Sequence, residues 1–359
     1  MPDRTVDPKA LQRYSFLLFS KLEGAVTAAM VHLGDQLGLF EALADADEPL
    51  TAAALAGRTG LQERWVQEWA YNQAAARLVE ADDQERFSLS PEARIVLATP
   101  GDPAFGMGMF HHLPETLGAL SSLPESFRTG VGRDYDAQGE AVADGIARGF
   151  EPWFGTHLVP TVLPALDGIL PKLEMGALVL DVGCGAGGAV LLMARTFPQA
   201  EVRGYDISQH ALGRAESRRA AEGAINASFH DPRRSPLPDD HSADLVCTFD
   251  CLHDMTDPAG MAAAIRGALS DDGAWLLVDI KAHESFAENA EKNPMASMMY
   301  GISVLSCLSS ALSEPGGAGL GTLGMTPATA ESLAREAGFT RFRRLDIDHP
   351  VNAFYEIRP

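Results

Sequence analysis

The chain has 359 residues, of which 46% are hydrophobic, and this length predicts two folded regions with sizeable cores. Its 49 acidic residues outnumber its 28 basic residues, and the resulting net charge of −21 opposes nonspecific attachment to nucleic acid or to anionic membranes. The four cysteines lack the C-x-x-C spacing of a zinc site and form no disulfide framework, so we expect free thiols, a reducing compartment and no bound metal.

The first ten residues, MPDRTVDPKA, lack the apolar core of a secretory signal. No stretch of the sequence approaches the roughly 18 charge-free apolar residues of a membrane span. We therefore expect a cytoplasmic protein that does not enter a membrane.

Residues 1–100 have the pattern of a winged-helix domain. A first helix is predicted from apolar residues that recur at steps of three and four. Further helices are predicted after Thr51 and over residues 61–78, and Asp82-Asp83 predicts the turn of a hairpin whose second strand covers 86–89. The apolar residues of the first helix are Phe19, Leu22, Val26, Met30, Leu33 and Leu37.

Winged helices often bind DNA, but the acidic charge balance of residues 1–100 argues against DNA binding here. Residues 1–100 contain nine basic and fifteen acidic side chains, a balance of −6. Glu63 and Glu68 lie on the presumed recognition helix, where phosphate contacts would require cations. We therefore predict that this domain mediates homodimerisation through its apolar first helix, and we keep a DNA-binding regulator as the alternative.

Residues 101–172 are predicted to be helical connectors that contribute to a substrate pocket. The adjacent His111 and His112 make a poor metal site, because neighbouring residues on a helix point about 100° apart. The aromatic residues Phe150, Trp153 and Phe154 either cover a ligand or pack between domains.

The stretch ALVLDVGCGAGGAVLLMAR, residues 177–195, organises the rest of the chain. Its apolar run ends at Asp181 and breaks into a glycine-rich turn before a helix, as a buried parallel strand followed by a ligand-binding turn would. Gly183, Gly185 and Gly188 satisfy the dinucleotide fingerprint, whereas Asp181 with Gly183, Gly185 and Gly187 satisfies D-x-G-x-G-x-G. Because a carboxylate would repel a pyrophosphate and attract an ammonium group, Asp181 favours a cofactor that carries an amino acid.

Strands and helices then alternate, which predicts an α/β domain with a doubly wound parallel sheet over residues 173–359. The second strand ends at Asp206, 25 residues after Asp181, which is close to the spacing at which an acid reaches ribose hydroxyls. The predicted strands cover 177–181, 201–205, 227–230, 243–249, 273–279, 342–347 and 351–357. Residues 283–326 interrupt the alternation and are predicted to form a lid over the substrate.

The glycine turn, the ordered acids and the N-terminal pattern together resemble the class I S-adenosylmethionine-dependent methyltransferases of winged-helix type, a family of small-molecule enzymes with a seven-stranded, Rossmann-like sheet. The resemblance implies S-adenosylmethionine as cofactor. It implies that Asp181, Gly183, Gly185 and Gly187 hold the methionyl part. The remaining predicted cofactor contacts are Asp206 and Ile207 at the ribose, Asp231 at the adenine, and Phe249 and Asp250.

The predicted catalytic residue is His253, which follows the fourth strand within the sequence Leu252-His253-Asp254-Met255. The related O-methyltransferases have L-H-D-W there, and their histidine acts as a general base, so the loss of the aromatic residue predicts a different acceptor. The alternative is that His253 caps the helix beginning near Asp257 or bonds to a backbone carbonyl.

The predicted function is methyl transfer to a small-molecule acceptor, a hydroxyl of a secondary metabolite, with O, N, C and S acceptors left open. Three alternatives remain at this point: a DNA-binding regulator with a ligand-sensing second domain, an NAD-dependent oxidoreductase, and a methyltransferase-like protein that uses the cofactor for another reaction.

Overall fold

The structure is a computed structural model that describes residues 6–359. The expectation about the first ten residues therefore falls in part outside the described residues. The chain divides into two compact units, residues 1–114 and 115–359.

The first unit is mainly helical, with a small three-stranded antiparallel sheet in the order β1-β3-β2. Its strands are β1 (Leu50–Thr51), β2 (Glu80–Ala81) and β3 (Arg86–Ser88), and its helices are α1 (Pro8–Gln36), α2 (Leu39–Ala44), α3 (Ala52–Thr59), α4 (Glu63–Ala75), α5 (Pro91–Ala98) and α6 (Met107–His111). Thr51 caps α3 by accepting a hydrogen bond from the amide of Ala54, as its sequence position predicts. Helix α4 is shorter at both ends than the predicted 61–78.

A buried core holds the helices of this unit together. Trp69 of α4 lies edge-on to Phe40 of α2, with ring centroids 5.2 Å apart, and its indole Nε1 donates to the backbone carbonyl of Met30 at 2.8 Å. Gly34 of α1 lies against both rings, since an added Cβ would come within 2.7 Å of each. The helices and the hairpin that follows them confirm the predicted winged helix.

The exposed surface of α1 is more apolar than the predicted stripe. Eight large apolar side chains near its N-terminal end are more than half exposed: Leu11, Tyr14, Phe16, Leu17, Leu18, Phe19, Leu22 and Val26. By length and composition alone α1 could cross a membrane, a test that core helices of soluble proteins and N-terminal signal sequences also pass.

The second unit begins with helical segments that lead into the sheet. Helix α7 (Leu113–Gly118) contains the boundary between the units. It is followed by α8 (Leu123–Thr129), α9 (Glu140–Trp153), a π-helix (Phe154–Val162) and α10 (Ile169–Met175), with 3₁₀ turns at Ala119–Ser121, Tyr135–Gln138 and Leu163–Ala165.

A seven-stranded sheet forms the centre of the second unit, in the order β6-β5-β4-β7-β8-β10-β9. Its strands are β4 (Leu178–Val182), β5 (Glu201–Tyr205), β6 (Ala227–His230), β7 (Ala243–Phe249), β8 (Leu269–Ile280), β9 (Arg341–Arg344) and β10 (Asn352–Arg358). The first five strands are parallel, and β10 runs antiparallel to both β8 and β9. The seven predicted strands are therefore confirmed, although β8 begins earlier and β9 ends earlier than predicted.

Helices cover both faces of this sheet, as its apolar central strands require. They are α11 (Gly188–Thr196), α12 (Gln209–Glu222), α13 (Pro258–Ala268) and α17 (Pro327–Glu336), with a 3₁₀ turn at Leu252–Asp254. The buried indole of Trp275 in β8 donates to the hydroxyl of Thr248 in β7 at 3.0 Å, which joins the two strands through their side chains.

The segment between β8 and α17 contains three short helices, α14 (Phe286–Lys292), α15 (Ala296–Leu305) and α16 (Cys307–Ala311). It is tied to the turn after β7, because the amide of Gly321 donates to the carbonyl of His253 at 3.2 Å and the amide of Ala318 donates to that of Thr256 at 2.9 Å. The predicted lid over residues 283–326 therefore contacts the loop that carries the predicted catalytic residue.

Candidate active site

The glycine turn between β4 and α11 adopts a conformation that requires glycine. Gly183, Gly185 and Gly187 have φ angles of 75°, 53° and 79°. A Cβ on Gly183 would lie 2.6 Å from Cys251, and a Cβ on Gly187 would lie 2.5 Å from the ring of Phe229. Gly185 differs, because no atom lies within 4 Å of the position that its Cβ would occupy. The turn is thus closely packed at two glycines and open at the third, where a ligand can approach the backbone.

Asp181 lies under this turn with an unsatisfied carboxyl group. It is 1% exposed, and its Oδ1 atom has no hydrogen-bond partner. Burial, together with the nearby charge of Asp206, raises the pKa of Asp181 to about 8. A buried acid without a partner fits a cationic ammonium group, so the donor set suits the methionyl part of S-adenosylmethionine.

Asp206, at the end of β5, is bound to the turn through its backbone. One carboxylate oxygen accepts a hydrogen bond from the amide of Gly185 and the other from the amide of Ser208, both at 2.8 Å. Ser208, not Asp206, caps α12 by accepting from the amide of Ala211. The aspartate is therefore not a helix cap, and it fixes the open glycine of the turn. Ile207, beside it, is partly exposed.

Asp231, the predicted adenine ligand, is occupied by a salt bridge. Its two oxygens accept from Nε and Nη2 of Arg233, both at 2.9 Å, and Gln209 also donates to it at 3.1 Å. These hydrogen bonds from Arg233 hold the pKa of Asp231 below its usual value. Arg233 also donates to the carbonyl of Ile207 at 2.7 Å, so it links the ends of β5 and β6. No sequence pattern indicated Arg233 as a residue of this site.

Phe249 and Asp250, at the end of β7, lie where the chain turns away from the sheet. Asp250 is a non-glycine residue with a φ of 48°, a conformation that aspartate tolerates better than most residues. Its carboxyl accepts a hydrogen bond from the side chain of Asn352. Burial and the charge of Asp279 raise the pKa of Asp250 to about 7.

The aromatic residues before the sheet pack onto Phe249. Phe154 contacts it edge-on at 5.1 Å between centroids, and Trp153 stacks on Phe354 of β10 at 5.7 Å. The indole Nε1 of Trp153 is buried and has no partner within the described residues. These rings are part of the core on one face of the sheet.

His253 forms a buried pair with Asp279, at the end of β8. Its Nδ1 lies 2.7 Å from Oδ1 of Asp279, and the two side chains are 3% and 1% exposed. Burial opposes protonation of the imidazole, but the charge and hydrogen bond of Asp279 outweigh it and raise the pKa of His253 well above its usual value. Because a carboxylate can only accept, Nδ1 carries the hydrogen and Nε2 faces away from Asp279.

This geometry excludes both alternatives for His253. The N-terminus of α13 is capped by Asp257, which accepts from the amide of Gly260 at 2.8 Å, and His253 bonds to a carboxylate instead of a carbonyl. Asp279 was missed as a site residue. Its position at the carboxyl end of the fifth strand, on the edge where ligands bind, is the signal that points to it.

Asp254 and Cys307 lie beside His253, and Tyr135 lies near both of them; no sequence pattern indicated any of the three as a site residue. Asp254 is the next residue, and burial raises the pKa of its carboxyl to about 7. Cys307, at the start of α16, places its sulfur within 4.8 Å of an imidazole nitrogen of His253. Tyr135 lies near enough to Asp254 and Cys307 for their charges to add to burial in raising the pKa of its phenol.

Comparison with known families finds a match in each of the two units of the chain. Residues 173–338 match the family model of a methyltransferase domain, and residues 25–99 match that of the Rv2258c-like winged HTH domain. The chain therefore joins a winged-helix domain to a methyltransferase domain.

Curated relatives resemble this chain over limited stretches. It is 29% identical over 149 residues to trans-aconitate 2-methyltransferase of Methylobacterium radiotolerans, which covers 41% of this chain and 52% of that enzyme. It is 32% identical over 108 residues to polyketide synthase ThaQ of Burkholderia thailandensis, which covers 29% of this chain and 5% of ThaQ. The chain thus spans about half or less of the length of these relatives.

Solved structures share the fold over nearly the whole chain. Mitomycin 7-O-methyltransferase MmcR has a TM-score of 0.68 at 20% identity, covering 98% of this chain and 99% of that one. A putative O-methyltransferase from Nostoc punctiforme has a TM-score of 0.71 at 17% identity, covering 99% and 100%. Human N-acetylserotonin methyltransferase, in complex with S-adenosylmethionine, has a TM-score of 0.67 at 18% identity, covering 100% and 99%.

The raised pKa of Asp181 predicts how the stability of the ligand-free protein varies with pH. The native state keeps a proton on Asp181 up to about pH 8, whereas the unfolded chain releases it near pH 4, so the free energy of unfolding falls as pH rises between these values. Asp181→Asn removes this cost. The measured quantity is the free energy of unfolding of the variant minus that of the wild type, from urea denaturation. We expect this difference to be at least about 1 kcal/mol more favourable to the variant at pH 8 than at pH 5.

Asp231→Asn is the matched control, because its salt bridge with Arg233 lowers the pKa of Asp231 instead of raising it. Its native-state stabilisation is present at all pH values above about 4. The control variant is therefore expected to be less stable than the wild type at both pH 5 and pH 8. An Asp181→Asn variant with the same stability difference at both pH values would contradict the assignment of a buried, protonated Asp181.

Proposed function

We propose that the chain binds S-adenosylmethionine at the glycine turn and transfers its methyl group to a hydroxyl of a small-molecule acceptor, such as a secondary metabolite. The observation that carries the proposal is the buried carboxyl of Asp181, whose Oδ1 has no hydrogen-bond partner, beside an open glycine turn. The methyltransferase domain match over 173–338 supports it, as do structural relatives in complex with S-adenosylmethionine or its product.

Each residue at the strand ends would bind a different part of the cofactor. Asp181 would release its proton when the cofactor binds and hold the ammonium group as a carboxylate. Gly185, whose amide is fixed by Asp206, would let the methionyl backbone approach the turn. Asp206 and Ile207 would contact the ribose, Asp231 the adenine, and Phe249 and Asp250 would line the same edge. Asp231 can accept from the adenine amine while keeping its bond to Arg233, because each carboxylate oxygen has more than one acceptor position.

His253 would act as the general base of the reaction. When bound, S-adenosylmethionine supplies a methyl group on a positively charged sulfur, so the protein has little further activation to provide. In the neutral form of His253, Nε2 would take the proton of the acceptor hydroxyl as that oxygen becomes the nucleophile, and because the pKa of His253 is raised, this form becomes more abundant as pH rises. Asp279 holds Nδ1–H in a fixed orientation and stabilises the imidazolium that forms, as the buried acid of a catalytic triad does.

We also propose that the protein is cytoplasmic, stays out of the membrane and forms a homodimer through α1. The eight exposed apolar side chains of α1 support an interface, because a symmetric dimer would bury them against the same helix of a second copy. The balance of −6 over residues 1–100 supports a winged helix that does not bind nucleic acid. The match to a winged HTH family favours a second candidate, a DNA-binding regulator with a ligand-sensing domain.

The cofactor site is tested by filling the open space beside Gly185. We expect S-adenosylhomocysteine to bind the wild type with micromolar affinity, worth roughly 7 to 9 kcal/mol, and to raise its Tm, whereas NAD should not. Gly185→Val should abolish the rise, and Asp206→Ala should weaken it, because Asp206 fixes the amide of Gly185. The measurement is thermal denaturation with and without ligand.

Gly223→Val is the matched control for this substitution. Gly223 also has a positive φ, 65°, and an equally open Cβ position, but it lies at the far end of α12. It should keep the full ligand-induced rise in Tm. If Gly185→Val responds to S-adenosylhomocysteine as the control does, the cofactor does not bind at this turn.

The catalytic role is tested with His253→Ala in an assay that follows S-adenosylhomocysteine release across a panel of hydroxylated aromatic acceptors. Loss of a general base typically costs about 10²- to 10⁴-fold, and we expect this loss in kcat with cofactor affinity unchanged within a few-fold. His210→Ala, on the exposed surface of α12, is the control and should retain the wild-type kcat. Nearly intact turnover by His253→Ala would assign the base to another residue.

A further inference from the structure

Three side chains with different ligand atoms converge beside the proposed base. His253 and Asp254 come from the turn after β7, and Cys307 comes from the start of α16, more than fifty residues later. Their ligand atoms all lie within 4.8 Å of one another. The position of Cys307 is supported by its neighbour Ser306, whose hydroxyl donates to the side chain of Gln138 at 2.7 Å.

The imidazole of His253 is oriented as in a metal site. Asp279 accepts the hydrogen on Nδ1, so the neutral imidazole presents the lone pair of Nε2 to a ligand on the other side of the ring. A carboxylate bound to the far nitrogen of a histidine fixes the ring and raises its basicity in many zinc sites. The second oxygen of Asp279 is buried without a partner, so the pair has no competing cation within the described residues.

The local charge favours a cation. Asp250, Asp254 and Asp279 lie together at this end of the sheet, and within the described residues no lysine or arginine forms a salt bridge with any of them. Buried carboxylates require compensation by hydrogen bonds, protons or cations. A divalent ion would compensate the negative charge of Asp254.

The donor set and its spacing select the ion. Imidazole, thiolate and carboxylate together suit Zn²⁺, whereas Mg²⁺ and Ca²⁺ prefer oxygen ligands alone. Tetrahedral Zn²⁺ with ligand distances of about 2.0 to 2.3 Å separates its ligand atoms by about 3.3 to 3.8 Å, so atoms that lie within 4.8 Å of one another need to move closer by no more than about 1.5 Å. Three protein ligands leave the fourth position open.

We propose that His253, Asp254 and Cys307 bind a thiophilic divalent cation, Zn²⁺, and that the bound ion occupies Nε2 of His253. On binding, the ion displaces the protons of the Cys307 thiol, of Nε2 where His253 is an imidazolium, and of Asp254 where its carboxyl is protonated. These protons pass to solvent, and the sulfur, nitrogen and oxygen atoms each donate an electron pair to the ion. The second half of this inference rests on the proposed function: an ion on Nε2 prevents His253 from accepting the proton of the acceptor, so Zn²⁺ inhibits methyl transfer. The spacing of the cysteines gave no signal of this site and led us to expect no bound metal, because the ligands come from distant segments of the chain.

Titration of the full chain, first freed of metal with a chelator, with Co²⁺ tests the site without any assay of activity. We expect one ion per chain, with a thiolate-to-cobalt charge-transfer band in the near ultraviolet and the intense visible bands of tetrahedral Co²⁺. Cys307→Ser should remove the charge-transfer band. Cys251→Ser is the matched control, because the Cys251 thiol donates to the carbonyl of Val182 at 3.1 Å, and it should keep the band.

Asp254→Asn provides a second variant, which should weaken Zn²⁺ binding at least 10-fold in competition with a zinc-binding dye. A wild type without the charge-transfer band, or a band that survives Cys307→Ser, would overturn the site. In the activity assay, Zn²⁺ should inhibit the wild type at concentrations at least 10-fold below those that inhibit Cys307→Ser. Full turnover with the site saturated would overturn the inhibition alone, and failure of methyl transfer itself would leave the Co²⁺ result as the measure of the site.

Discussion

Carboxyl groups at the carboxyl ends of neighbouring strands, three of them buried and one half-buried, are the constraint on which this site depends. Asp206, Asp181, Asp250 and Asp279 lie at the ends of β5, β4, β7 and β8, which are adjacent in the sheet. Each must be compensated, because a buried charge without partners is costly. Asp206 uses two backbone amides, Asp250 uses Asn352, and Asp279 uses His253, whereas one oxygen of Asp181 has no partner.

Because the four acids have different partners, the β5 side and the β8 side of the carboxyl edge of the sheet have different roles. On the side of β5, Asp206 fixes the glycine turn, so that Gly185 faces open space beside Asp181. On the side of β8, Asp279 orients His253. In the function proposed above, cofactor binding and proton transfer therefore belong to neighbouring but distinct groups of residues.

Local patterns predicted most of the fold and part of the site. The seven strands, the glycine turn and the acids at the strand ends follow from apolar runs and turn residues within short windows, so they are readable from the sequence. Three contacts of the site cannot be predicted in this way, because each depends on how the loops fold. They are the pairing of His253 with Asp279, the salt bridge of Asp231 with Arg233 and the approach of Cys307 to His253. The exposed apolar surface of α1 also exceeds the predicted stripe, because residues 16–19 form a continuous apolar run that covers all sides of the helix.

We propose that Asp181 compensates a cation brought by the cofactor, and a crystal structure of the protein with S-adenosylhomocysteine tests this role most directly. The account predicts the amino-acid part of the ligand over Gly183–Gly187, with its ammonium nitrogen within about 3.2 Å of the Asp181 carboxyl and its sulfur directed toward the His253 side of the edge. An ammonium group turned away from Asp181, or a ligand bound elsewhere in the chain, would contradict it.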